Sequence, residues 1–131
     1  LNFPNVIIDK TFFYHPTTVY SWVKKGHVSE SYELLLAIAN SKLLWWFLLQ
    51  TGDTLQGDAR RFKTNYLNPF PLPTEVIRKE EKSIVDLVNQ VLDSKKKDPE
   101  ADTRKLESKI DKLIYQLYGL TKEEIAIVEE S

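Results

Sequence analysis

The chain has 131 residues, with 18 Lys+Arg against 19 Asp+Glu for a formal net charge of -1, no cysteine and two histidines. That length suits one ordinary domain, or one lobe with an appendage, and not two large catalytic domains. The lack of cysteine excludes disulfides, thiolate metal sites and cysteine nucleophiles together, and the near-neutral charge excludes nucleic-acid binding by bulk positive charge, so any phosphate-binding surface must be local.

The charge is unevenly spread. Residues 1–75 hold 7 Lys/Arg and 6 Asp/Glu among dense aromatics, whereas residues 76–131 hold 11 and 13 interleaved with aliphatics. This shift near Pro73 divides the chain into a lobe over residues 1–73 and a different kind of structure over residues 74–131. The chain opens on Leu1 rather than Met, which points to a piece of a longer protein. It shows no basic leader ahead of an apolar stretch, and its most apolar run, Leu34 to Leu49, is interrupted by Asn40, Ser41 and Lys42, so no membrane association is expected.

In chain order, the opening reads as strands. Asn5 to Ile8 and Thr11 to Tyr14 are short β-branched or aromatic runs, and Thr17 to Val23 alternates Val19 and Ser21 against Tyr20 and Trp22, with turns at His15-Pro16 and Lys25-Gly26. From a cap near Ser29, Tyr32, Leu35, Leu36, Ala39, Leu43, Trp46 and Phe47 recur at helical spacing up to a stop near Thr51-Gly52. The helix is apolar around most of its circumference, which makes it the buried centre of its lobe and its aromatics, Trp45 among them, core residues. The expected class is therefore α+β: a small β-containing lobe packed on a central apolar helix, followed by an antiparallel helical hairpin.

From Gly52 to Pro73 periodicity is lost. Two glycines precede Arg60, Arg61 and Lys63, and the prolines at 69, 71 and 73 hold the following stretch extended, as befits a connector of defined geometry. Beyond it, Ile77, Ile84, Val88, Val91 and Leu92 line one helical stripe, and Leu106, Ile110, Leu113, Ile114 and Leu117 line a second. Lys95, Lys96 and Lys97 suit a helix C-terminus, and Asp98-Pro99 reads as the cap and first turn of the next helix. Gly119 stops that helix, and Thr121 with Glu124 forms a capping box for a short terminal one. Such a hairpin makes an arm or small bundle with scope for self-association.

Chemistry is sparse. Neither His15 nor His27 lies in a metal-binding or triad spacing, and no phosphate-cradling glycine loop or nuclease carboxylate cluster is present, so the chain reads as non-catalytic. Arg60, Arg61 and Lys63, with Gln56, Asn65 and Tyr66 nearby, offer cations for phosphates and groups able to read base edges; Lys24, Lys25 and His27 form a second cluster.

Three stretches also resemble a known family. They are Leu34-Leu-Leu-Ala-Ile-Ala-Asn-Ser-Lys-Leu43; Arg61-Phe-Lys63 followed by Tyr66-Leu67 and the Pro69 to Pro73 turn; and the ending from Ile110 through Leu117-Tyr-Gly-Leu-Thr121 to Ile125. Together they resemble the TaqI-like C-terminal specificity domain of N6-adenine DNA methyltransferases and fused restriction-modification enzymes, with a related pattern in type I specificity subunits. The resemblance spans about residues 11–128, and Phe70 and Leu72 stand where that family often has isoleucine. It implies a target recognition domain acting on double-stranded DNA in a prokaryotic cytoplasm. S-adenosylmethionine and an Asn-Pro-Pro-Tyr-type catalytic motif would belong to a methyltransferase domain of the parent chain. DNA contact is expected from Arg60, Arg61, Lys63, Lys24, Lys25 and Gln56. The competing expectation is a helical protein–protein interaction module with no DNA contact of its own.

Overall fold

A computed structural model describes residues 6–8, 23–52, 64–72 and 77–131. Its regular elements are α1 (Tyr32–Ala39), α2 (Lys42–Thr51), α3 (Thr64–Leu67), α4 (Ile77–Lys97), α5 (Arg104–Leu117) and α6 (Lys122–Glu130). The expected α+β class is overturned, because the described residues contain helices and no strand.

Local bonding accounts for the difference. At Val6 the backbone N–H donates to Asn40 Oδ1 at 3.0 Å, and the backbone carbonyl accepts from Asn40 Nδ2 at 2.9 Å. One side-chain amide thus satisfies both groups that a neighbouring strand would have taken. At the end of the third expected strand, the Lys24 N–H donates to the Tyr32 hydroxyl at 3.2 Å, and the Lys25 carbonyl accepts from Val28 N–H across a turn at 3.0 Å. The runs at 11–14 and 17–22 lie outside the described residues.

The single apolar helix expected up to Thr51 is two helices bent by 54° at Asn40-Ser41. Ser41 makes the break. Its hydroxyl donates to the Ile38 carbonyl at 2.7 Å and accepts from Leu44 N–H at 3.1 Å, closing α1 and capping α2 with one buried side chain. The start of α1 is likewise capped by Ser31, two residues beyond the expected Ser29. Among the described residues no single helix is long and apolar enough to cross a membrane; α1 and α2 meet that test only as this bent pair.

The hairpin forms with one change at its turn. Asp98 does not cap the second helix; it closes a turn by accepting from Glu100 N–H at 3.0 Å. The helix starts six residues later at Arg104, whose backbone N–H donates to Asp102 at 3.1 Å. At its other end, Gly119 adopts φ 66°, where a β-carbon would be strained, and donates to the Gln116 carbonyl while Leu120 N–H donates to the Tyr115 carbonyl, both at 3.0 Å. The capping box at Thr121 and Glu124 is present.

One core joins the helices on either side of residue 73. Leu34, Ala37 and Ile38 of α1 and Leu43 of α2 pack with Ile84 and Val88 of α4, Ile110, Ile114, Tyr115 and Leu117 of α5, and Val128 of α6. Leu34, Leu48, Ile84 and Ile114 are fully buried, each contributing about 1.5–3 kcal/mol relative to exposure. Trp45 is buried, and Trp46 and Phe47 pack half-buried against the core, in keeping with a scaffold role.

Candidate nucleic-acid interface

The segment that carries Gln56, Arg60, Arg61 and Lys63 lies outside the described residues, but both of its anchor points lie within them. On one side α2 ends at Gly52, whose N–H donates to the Leu48 carbonyl at 2.7 Å, while the Thr51 hydroxyl donates to the Phe47 carbonyl at 2.8 Å. On the other, α3 begins at Thr64 and packs back on α2. Tyr66, Leu67 and Phe70 cover the small cluster of Ala39, Leu44 and Leu48, as does Val6 from the N-terminal side.

Phe70 is the hub of this arrangement. Its ring meets Phe47 of α2 edge-on at 5.1 Å between centroids and Tyr118, just past α5, at 5.4 Å. The Tyr118 hydroxyl donates to the Pro71 carbonyl at 2.8 Å, and burial pushes that hydroxyl's pKa up. Proline at 71 has no N–H, so its carbonyl is the one main-chain group it can offer here. The connector is therefore fastened at three points to the helices that carry the other two stretches of the resemblance.

Lys24 and Lys25 behave differently. Lys24 is half-buried, with Nζ donating to the Glu30 carbonyl at 2.8 Å and lying 5.0 Å from the centre of the Tyr32 ring. Its ammonium already has a carbonyl and an aromatic face as partners, which reduces its value as a phosphate contact. Lys25 is exposed at the turn with His27 and presents its charge to solvent.

A polar cluster that sequence spacing did not indicate joins α2, α5 and α6. The Lys42 backbone N–H, at the start of α2, donates to Asp111 Oδ1 at 3.1 Å, and Lys42 Nζ pairs with Glu129 of α6. The Tyr115 hydroxyl donates to the other oxygen of Glu129 at 2.7 Å. Burial lifts the Asp111 carboxyl to about 6, against the opposing hydrogen bond from Lys42. For Glu129 burial works upward, but the hydrogen bonds from Lys42 and Tyr115 outweigh it and hold the carboxyl below its ordinary value. Burial and the Glu129 bond both push the Tyr115 hydroxyl up. Only the four-residue spacing of Asp111 and Tyr115 is visible in the sequence; their meeting with residues 42 and 129 is tertiary.

Among the described residues no three His, Cys, Asp or Glu side chains converge as metal ligands would. Comparison of the chain with protein-family models, curated proteins and solved structures finds no match.

Proposed function

We propose that the chain is a non-catalytic, sequence-specific reader of double-stranded DNA, the target recognition part of an adenine-N6 restriction-modification enzyme of the prokaryotic cytoplasm. In this reading, methyl transfer from S-adenosylmethionine belongs to a separate catalytic domain of the parent chain. The observation that supports it most is that the described residues of the three resembling stretches pack on one scaffold. Asn40-Ser41 forms the elbow, Tyr66, Leu67 and Phe70 pack onto it, and Tyr118 bonds Pro71. This scaffold fixes both ends of the segment bearing Gln56, Arg60, Arg61 and Lys63. Guanidinium groups such as those of Arg60 and Arg61 suit bidentate contact with phosphates and guanine edges, with Lys25 as an outlying phosphate contact.

The salt dependence of duplex binding tests the assignment. Fluorescence anisotropy with a random-sequence duplex, measured from low to moderate salt, is expected to give a steep loss of affinity with salt. Arg60→Ala with Arg61→Ala should reduce the log–log slope by about 2, roughly one per phosphate contact removed. A slope and affinity unchanged by the double substitution, in a protein that melts as the wild type does, would refute these residues as the contact.

A further inference from the structure

On α5, Lys105, Lys109, Lys112 and Gln116 recur at spacings of four, three and four residues, and all four are exposed, on the face turned away from the buried Ile110, Ile114 and Leu117. Ser108 is exposed beside them. The same spacing on the outside of α4 holds Lys82, Asp86, Asn89 and Asp93, also exposed. The two arms of the hairpin therefore differ: α4 mixes its charges on this stripe, and α5 keeps one sign. Lys105 with Lys109, and Lys109 with Lys112, are like-charge neighbours that weaken a helix rather than support it. None of the three lysines is in an ion pair among the described residues, whose two pairs are Lys42 with Glu129 and Arg104 with Asp102. Glu129 feels the Lys112 charge at longer range, but its oxygens take the Lys42 ammonium and the Tyr115 hydroxyl.

We propose that this face of α5 is a second DNA-contact surface, on which Lys105, Lys109 and Lys112 each meet a backbone phosphate; it rests on the reading of the chain as a DNA reader and extends it to the helical arm. Helix rise sets the three lysines about 6 Å and about 4.5 Å apart along the axis, and phosphates of one DNA strand recur every ~3.4 Å of duplex axis. Long, flexible lysine stems can take neighbouring phosphates at that spacing. Ammonium groups bind phosphate as point charges and do not read base edges, so the face positions the duplex and leaves sequence choice to other residues. Ser108 and Gln116 add neutral groups of the kind that also bond phosphate oxygens. A protein partner fits the face less well, because such an interface has an apolar centre and these five side chains offer none. With a net charge of -1 the chain has no bulk attraction for DNA, and a stripe of one sign supplies that attraction locally.

Binding of the whole chain to a random-sequence duplex, followed by anisotropy from about 50 to about 200 mM salt, tests this. Lys105→Gln, Lys109→Gln and Lys112→Gln together should lower the log–log slope by about 3, which makes the loss of affinity over that range about fortyfold smaller than in the wild type. A control with Lys82→Gln, Lys96→Gln and Lys122→Gln removes the same charge from scattered exposed positions and should lower the slope by less than about 1. A reduction below about 1 in the α5 variant would overturn the proposal and leave an acidic protein surface as the partner of this face. An equal reduction in the control would overturn it too, since net charge alone would then account for the effect. If the triple variant melts below the wild type, Lys109→Gln alone decides: a slope lowered by about 1 supports the contact, and an unchanged slope overturns it. Failure of the DNA reading itself has a different signature, in which the wild type binds no duplex even at low salt, and this proposal falls with it.

Discussion

The starts of α6 and α1 solve one problem with the same chemistry over very different distances. At α6 the Thr121 hydroxyl accepts from Glu124 N–H and the Glu124 carboxylate accepts from Thr121 N–H, so one four-residue span satisfies both backbone donors. At α1 the Ser31 hydroxyl accepts from Leu34 N–H, but Leu34, where a glutamate would sit in a local box, is buried in the core. The second half comes from Glu81 of α4, fifty residues away, whose carboxylate accepts from Ser31 N–H at 3.1 Å. The start of α2 varies the pattern: Ser41 is the local cap, and Asp111 of α5 is a distant acceptor for the N–H of the next residue, Lys42. A capping box confined to one helix stabilises that helix. One divided between helices also fixes how they dock.

Burial separates the two divided starts, and mutation should reveal it. Ser41 is buried, and its hydroxyl serves both a carbonyl of α1 and an N–H of α2. Ser41→Ala is therefore expected to cost about 2 kcal/mol in urea unfolding, against about 1 kcal/mol for Ser31→Ala, whose cap makes one such bond nearer to solvent. Equal costs would mean that burial of the elbow adds nothing.

The distant acceptors give a smaller effect of unusual sign. The folded-state pKa of Asp111 is raised, so its contribution to stability is fully present below the ordinary carboxylate range and is lost as pH rises through about 6. Asp111→Asn should thus be more stable than the wild type at neutral pH by roughly 0.5–1 kcal/mol, after allowance for solvent screening of a half-exposed group. The advantage should vanish below about pH 4 in matched thermal melts. A variant less stable than the wild type at neutral pH would show that the carboxylate charge at α2 outweighs its burial.

The same contrast marks what the sequence made legible. The α4–α5 hairpin was readable because Ile84 and Val88 face Ile110, Ile114 and Leu117 at helical spacing, and Gly119 and the Thr121 capping box mark ends by local rules. The elbow at Asn40-Ser41 escaped because Ala39 and Leu43 continue the helical spacing across it, and the break depends on a serine that both ends one helix and starts another. The strand expectation failed at Val6 because β-branched composition does not say whether a strand neighbour or an asparagine amide will meet the backbone. Of the expected contact residues, Lys24 is turned to Glu30 and Tyr32 by tertiary bonding that its place in a Lys-Lys-Gly turn did not disclose.

The central claim is that the helical scaffold presents a reader of DNA sequence, and selection from a pool of duplexes with a randomised centre tests it most directly. At low salt the chain should enrich one short motif, and the Arg60→Ala, Arg61→Ala variant should lose that enrichment while keeping the wild-type melting temperature. Recovery of the pool without enrichment, or the same motif enriched by the variant, would contradict the account.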